Sequence, residues 1–324
     1  MRDFIKPRVV VSKCLGFAHC RYNGLTIEDD FVKKLDSFVE FQPVCPEVEI
    51  GLGVPRNPIR LVSIKGFLHL MQPATQKDVT KEMERFADSF LDSLPPCDGF
   101  VLKNRSPSCG IKDVKIYPGL AKVASIGRGA GFFGGAVLKQ FSHLAVEDEG
   151  RLNNDRIREH FLTKLFTLSG FRKIKASKSL KDLIRFHSEN KLLLMAYNQK
   201  ELRELGRIVA NLDKKKIDEV YEGYESHLFA ALSKASSYPS NINVLMHAMG
   251  YFKKDLSAKE KAFFLDALQR YRVGRIPLSV TISLMRSWVI RFDESYLMQQ
   301  SFFEPYPEDL AETVDRTKER DVWR

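Results

Sequence analysis

Three cysteines stand where their thiols could meet. Cys14 follows the β-branched run "RVVVS", Cys45 follows "FVEFQPV" and opens "CPEVEIGLGVPR", and Cys109 closes "GFVLKNRSPSCG". Thiolates are soft ligands and suit zinc, copper(I) or iron-sulfur clusters. The paired C-x-x-C knuckles of structural zinc are absent, so a catalytic zinc on three thiolates and an iron-sulfur cluster both stay open. A cluster usually takes four cysteines; with three, one iron keeps an open position. Any one of the three, read alone, is a small buried hydrophobe. Of the remaining two, Cys97 between "LPP" and "DG" reads as a spectator, and Cys20 as a spectator or a pocket wall.

Whether the three thiols converge depends on the elements that carry them. Up to about Gly150 the chain alternates short β-branched runs with helical stretches such as "DVTKEMERFADSFLDSL", where Val79, Met83, Phe86 and Phe90 recur at helical spacing. That alternation predicts an α/β domain with a mainly parallel sheet. In open sheets of this kind, ligands bind beyond the carboxyl ends of the strands, where three strand-end loops can share one site. After Arg151 the strand runs nearly vanish and long helical periodicities follow, with "PSN" and "GRIP" as punctuation. The expected second domain is all-α, with the limits at residues 1–148 and 149–324 and the join near "EDEGRLNND". The loop "GRGAGFFGG" lacks the Walker or Rossmann spacing, so it reads as a tight connection before a helix.

Charge divides the chain differently from length. The net charge is +10, and residues 151–324 carry 31 of the 51 Lys and Arg against 23 of the 41 Asp and Glu. A basic helical half favours a polyanion partner such as nucleic acid, although any single basic run is equally a solvated helix face. No apolar run approaches a membrane span, and "MRDFIKPRVVVSK" lacks the long apolar region of a signal peptide. The expectation is a cytoplasmic protein whose five cysteines stay reduced. Tyr221, Tyr224, Phe252, Tyr271 and Trp288 are available to stack on RNA bases, although at helical spacing most aromatics are core, so the Lys and Arg residues are the favoured RNA contacts. His187, His227 and His247 read as core or surface residues rather than ligands.

"VSKCLG" with "RYNG", "PVCPEVEIGLGVPR" and "LKNRSPSCG" together resemble the three signature segments of the thiouracil desulfidase family, across residues 8–110, with domain similarity to about residue 145. The stretches "HFLTKLFTLSGF", "NVLMHAMGYFKKDLS", "YRVGRIPL" and "FFEPYP" resemble the YbgA-like domain. Fusions of the two resemble the RudS-type desulfidases that act on 4-thiouridine in tRNA.

The resemblance implies a [4Fe-4S] cluster on Cys14, Cys45 and Cys109 with one open iron, acting as a non-redox Lewis acid on the substrate sulfur. It assigns Glu47 a catalytic role, which we read as general base, and matches Ser106 to a second catalytic position that orients water or donates to the pyrimidine. Ser12, Lys13, Ser108 and Gly110 flank the ligands as supporting residues, and Arg56 pairs with an acid or meets a phosphate. The implied partners are tRNA, through the basic domain, and a thiolated pyrimidine. The alternatives are a desulfidase of free thiopyrimidines, or a nucleic-acid-binding protein with structural or zinc-bound cysteines.

Overall fold

The run RVVVS forms a strand that is buried from its second residue onward, which is why it reads as continuous hydrophobic sequence instead of alternating. In chain order the elements are β1 (Arg8–Ser12), α1 (Asp30–Asp36), β2 (Glu40–Val44), α2 (Pro46–Glu49), β3 (Arg60–Ile64), β4 (Phe67–Gln72), β5 (Lys77–Asp78), α3 (Thr80–Asp92), β6 (Gly99–Leu102), β7 (Val114–Tyr117), β8 (Gly127–Gly129), α4 (Phe132–Phe141) and β9 (Ala145–Asp148). A computed structural model describes residues 2–121 and 123–311 of the chain.

Four of these strands make a parallel sheet in the order β2-β1-β6-β9. Val10 is the register point, opposite Gln42 on one side and Phe100 on the other. The chain leaves β1 first to one side and later returns to the other. The strand order therefore reverses around β1, the position where α/β folds place ligands. The α/β architecture with a parallel sheet is as the sequence predicts.

The second sheet is not read from the sequence. The run "IRLVSI" contributes β3 to a mixed five-stranded sheet ordered β5-β4-β3-β7-β8, in which only the β3–β7 pair is parallel. A two-residue hairpin joins β3 to β4, with Lys65 and Gly66 both at positive φ (52° and 84°), as the twist of a tight antiparallel turn requires. Strand sequence fixes the presence of an extended run, whereas the choice of sheet is made by partners distant in the chain.

Beyond β9 the described structure is helical: α5 (Asp155–Ser177), α6 (Leu180–Glu189), α7 (Lys191–Tyr197), α8 (Gln199–Ala210), α9 (Ile217–Ala231), α10 (Tyr238–Met249), α11 (Ala258–Arg272), α12 (Leu278–Arg291) and α13 (Ser295–Met298). Among the described residues no helix is long and apolar enough to cross a membrane. The chain divides into two compact units, one of residues 4–169 with 309–311, the other of residues 2–3 with 170–308. The division falls inside α5, because the first part of that helix packs with the sheets: Phe161, Leu162 and Leu165 are buried, the Phe4 and Phe166 rings meet edge to face at 5.6 Å, and Ser169 Oγ donates to the Ile5 carbonyl. Residues 312–324, the end of the expected second domain, lie outside the described residues.

The helical unit has its own core, in which Phe252, Phe264, Met285 and Trp288 pack with Leu192, Val244 and Leu245. Tyr221, Tyr224 and Tyr271 are also buried, so the five aromatics that the sequence left between base stacking and core are core. His187 Nδ1 meets the buried Tyr224 hydroxyl at 3.2 Å, and His227 Nδ1 meets Glu201 at 2.6 Å. Both histidines serve the bundle.

The glycine-rich loop before α4 has a positional role. Gly131 N–H donates to the Gly110 carbonyl (2.7 Å), Phe132 N–H to Pro107 (3.2 Å) and Gly134 N–H to Ser108 (3.0 Å). Three of the four free N–H groups that a helix start exposes are thus satisfied by the carbonyls of the 106–110 loop. A Cβ on Gly134 would stand 2.4 Å from the Gly110 oxygen and 2.5 Å from the Cys109 oxygen, whereas one on Gly135 would meet only the Ala130 side chain at 3.6 Å. Gly134→Ala is expected to lower stability in urea unfolding by about 1–3 kcal/mol through overpacking. Gly135→Ala, at an ordinary helical position, is expected to be neutral or stabilising by up to about 1 kcal/mol.

Candidate functional site

A cavity of about 210 Å³ opens at the carboxyl edge of the parallel sheet. Cys14 comes two residues after β1, Cys45 directly after β2, and Cys109 on the loop after β6; all three line the cavity. Two bonds clamp the strand ends together. Lys13 N–H donates to the Val44 carbonyl (2.8 Å), and Lys103 N–H donates to Ser12 Oγ (2.8 Å). Ser12, buried beneath the cavity, is therefore a structural tie as well as a cavity residue.

Each thiol is set by its own local chemistry. Pro46 begins α2 at a position where its missing N–H costs nothing, and Cys45 sits in extended conformation at the cap just before it. In the "RYNG" turn, Gly24 at φ 72° closes on the Arg21 carbonyl, and the chain returns so that Ile27 N–H donates to the Cys14 carbonyl at 2.8 Å. Cys20, directly before that turn, is buried and also lines the cavity. Its thiol is held above the ordinary range first by a hydrogen bond with Cys14, while the Cys45 thiol is raised first by its hydrogen bond with Cys20 and then by burial. Burial pushes the Cys109 thiol up to about 12. Four thiols thus surround one space, and Cys97 is not among them.

Beside the thiols lies a carboxylate with both oxygens engaged. Arg56 Nε donates to Glu47 Oε2 at 2.8 Å and Arg56 Nη2 lies 2.7 Å from the same oxygen; their side chains are only 4% and 13% exposed. Ser108 Oγ donates to Glu47 Oε1 at 2.7 Å, and Ser106 Oγ stands 2.9 Å from Ser108 Oγ. Arg56 Nη1 also donates to the carbonyls of Cys20 (2.9 Å) and Gly53 (3.0 Å), so one guanidinium joins the carboxylate to two loops. A planar, always-charged fork suits this task. Of the two roles open to Arg56, pairing with an acid is the one observed.

Glu47, Ser106, Cys14, Cys45 and Cys109 are brought to one cavity, together with the supporting residues Ser12, Lys13, Ser108 and Arg56. Gly110 stays off the cavity wall and works in packing: a Cβ there would stand 2.4 Å from Val114 and 2.8 Å from the Ser106 oxygen. Glu149 escaped the sequence reading. Its buried carboxylate pairs with Lys103 and accepts from the Asn104 N–H at 2.7 Å, which fixes the start of the loop that carries Ser106 and Cys109. A buried acid forty-six residues from its ion-pair partner leaves no local signal.

Residues 9–149 match the family described as 2-thiouracil desulfurase, and residues 191–307 match a family described as protein of unknown function DUF1722. Among curated proteins the chain is similar to the uncharacterized protein YbgA of Escherichia coli (strain K12), 27% identical over 158 residues that make up 48% of this chain and 94% of that one. It is also similar to the uncharacterized protein YbbK of Bacillus subtilis (strain 168), 29% identical over 111 residues, 32% of this chain and 72% of that one. A solved structure of a [4Fe-4S]-dependent thiouracil desulfidase, TudS, is 30% identical, with 46% of this chain and 94% of that chain covered and a TM-score of 0.37.

The buried ion pair generates a stability prediction. Arg56→Met leaves the Glu47 carboxylate without its counter-charge and is expected to cost about 3–5 kcal/mol in chemical unfolding. Arg8→Met removes an exposed pair with Glu40, whose side chains are 47% and 60% exposed, and is expected to cost less than about 1 kcal/mol.

Proposed function

We propose, for a chain whose residues 9–149 belong to the 2-thiouracil desulfurase family and whose residues 191–307 belong to the DUF1722 family, that the protein replaces the thiocarbonyl sulfur of 4-thiouridine in tRNA with oxygen and releases sulfide. The observation that carries this reading is the meeting of Cys14, Cys45 and Cys109, from three separate strand ends, with Glu47 and Ser106 around one cavity. In our reading the catalytic domain is residues 1–148 and the YbgA-like helical domain residues 149–324, in a reducing cytoplasm that keeps the cysteines free.

The donor set fits a [4Fe-4S] cluster. Among the described residues no group of three or more His, Cys, Asp or Glu side chains is arranged to hold a single metal ion, whereas four thiols stand around the cavity and a cluster takes its thiolates on separate irons. The Cys109 and Cys45 thiols, both raised, are protonated at neutral pH without metal, and ligation displaces those protons. Cys14, Cys45 and Cys109 would hold the cluster, and when bound its open iron supplies a soft Lewis acid that draws electron density from a thiocarbonyl.

The chain's own residues supply the rest. Arg56 and Ser108 fix the Glu47 carboxylate as an acceptor, oriented to take a proton from water as its oxygen attacks the ring carbon. Ser106 orients the reactants at the ring. The overall change is hydrolysis: one water is consumed, C=S becomes C=O, hydrogen sulfide leaves, and no external reductant is needed.

The helical half supports the tRNA part of the reading. Many of its cations are neutralised locally, as in Lys175–Glu225, Lys178–Asp218 and Arg207–Glu204. Others are not: Lys214, Lys215 and Lys216, between α8 and α9, make no ion pair with the described residues. Cations without local partners are the ones available to phosphates, and a base must leave its stack to reach a cavity of this kind.

Purified without oxygen, the protein is expected to be brown with about four irons per chain and to remove the thio-base absorbance of 4-thiouridine-containing tRNA. Cys14→Ala is expected to lose iron and activity together; a variant that keeps both would overturn the ligand assignment. Between about 50 and 200 mM salt, activity on tRNA at limiting concentration is expected to fall at least about tenfold, whereas turnover of free 4-thiouracil stays nearly flat. Equal salt response would point to free thiopyrimidines as the substrate.

A further inference from the structure

The hydroxyls beside Glu47 form a chain whose direction can be counted. Ser108 Oγ has one proton. It donates to Glu47 Oε1 at 2.7 Å, while the Cys109 sulfur, the other acceptor nearby, is 3.7 Å away. A carboxylate held by a buried guanidinium is the stronger and closer acceptor. With its proton spent there, Ser108 can only accept from Ser106, 2.9 Å distant. The Ser106 hydroxyl therefore gives its single proton to Ser108. On its other side Ser106 Oγ accepts the Cys109 N–H at 3.2 Å. A hydroxyl carries one donor and two acceptor sites. What remains is one acceptor lone pair and no donor, on a half-buried side chain that lines the cavity.

We propose that Ser108, by spending its proton on Glu47, locks Ser106 as a hydrogen-bond acceptor, so that the pocket selects thiocarbonyls flanked by a ring N–H. This rests on the desulfidase reading and sharpens its substrate class. In 4-thiouracil and 2-thiouracil the carbon bearing sulfur is next to a ring nitrogen that carries hydrogen. In 2-thiocytosine, linked to a sugar, both flanking nitrogens lack one. A ring nitrogen lone pair facing the Ser106 lone pair is repelled, and an N-methyl group there leaves the oxygen unpaired in a partly buried site. Of the two roles the sequence left to Ser106, donation to the pyrimidine is the one this proton count removes. Ser106 touches the substrate, and Ser108 is a positioning residue acting through it.

The test uses the metal-loaded full chain and short oligoribonucleotides identical except at one position. Binding is measured by competition for strands carrying uridine, 3-methyluridine or cytidine at that position, and kcat/KM is measured for strands carrying 4-thiouridine, its N3-methyl derivative or 2-thiocytidine. The wild type is expected to favour the N–H form at least about tenfold in both series, the scale of leaving a polar group unpaired. In Ser108→Ala the Ser106 proton is released and the preference is expected to shrink to within about threefold, whatever happens to overall rate, because a ratio between ligands is insensitive to a loosened Glu47. Equal or undetectable binding of the uridine and 3-methyluridine strands by wild type, or an unchanged ratio in Ser108→Ala, overturns the proposal. Preferential binding of the uridine strand, relaxed in Ser108→Ala, without sulfide release would sink the desulfidase reading and leave the acceptor lock standing. Sulfide release with no discrimination would do the reverse.

Discussion

Strand β1 hydrogen-bonds β2 on one edge and β6 on the other, with Val10 opposite both Gln42 and Phe100. Everything at the cavity depends on that register. A shift of one residue would turn each strand's side chains to the opposite face and move the three strand ends out of step. The loops after β1, β2 and β6 begin from one edge because all three strands run the same way, and the Lys13–Val44 and Lys103–Ser12 bonds extend the sheet's hydrogen bonding into those loops. The central strands β1 and β6, buried almost throughout, provide the stiffness that thiols on three loops lack individually.

Around that edge the polar groups are arranged so that few are free to choose. Glu47 is engaged by Arg56 on one oxygen and Ser108 on the other, and Ser108 in turn fixes Ser106. Arg56 also reaches the Cys20 carbonyl, so the same guanidinium that balances the carboxylate holds the loop that follows Cys14. In a buried setting such a network is stabilising only when all members are satisfied, which makes its geometry rigid. The glycine contacts under the 106–110 loop complete the support, since backbone can approach backbone there only without a Cβ.

The helical unit separates packing from charge. Its aromatic side chains are largely consumed by the core, as Phe252, Phe264 and Trp288 illustrate. Its cations fall into two groups, those paired with carboxylates one helical turn or one neighbouring helix away and those, such as Lys214 to Lys216, with no such pair among the described residues. A count of basic residues therefore overstates what is available to a polyanion, and the position of the unpaired ones matters more than the total.

Much of the frame was legible in the chain because its signals are local. Apolar runs and helical periodicities marked β1, β6, α3 and the helical half, and three cysteines just after strand-like runs marked one edge of a sheet. Residue type also pointed to soft-metal chemistry. What the tertiary structure alone decided involves partners far apart in sequence: the second sheet that captured β3, the entry of Cys20 into the cavity, the Ser108–Glu47 hydrogen bond and the Lys103–Glu149 pair. The direction of the Ser106 hydroxyl belongs to this second class. No spacing encodes it, because it follows from which acceptor lies closest once Ser108 and Glu47, sixty-one residues apart, are 2.7 Å from each other. Local sequence sets backbone preference and burial, whereas hydrogen-bond direction and charge pairing depend on distances that exist only after the chain has folded.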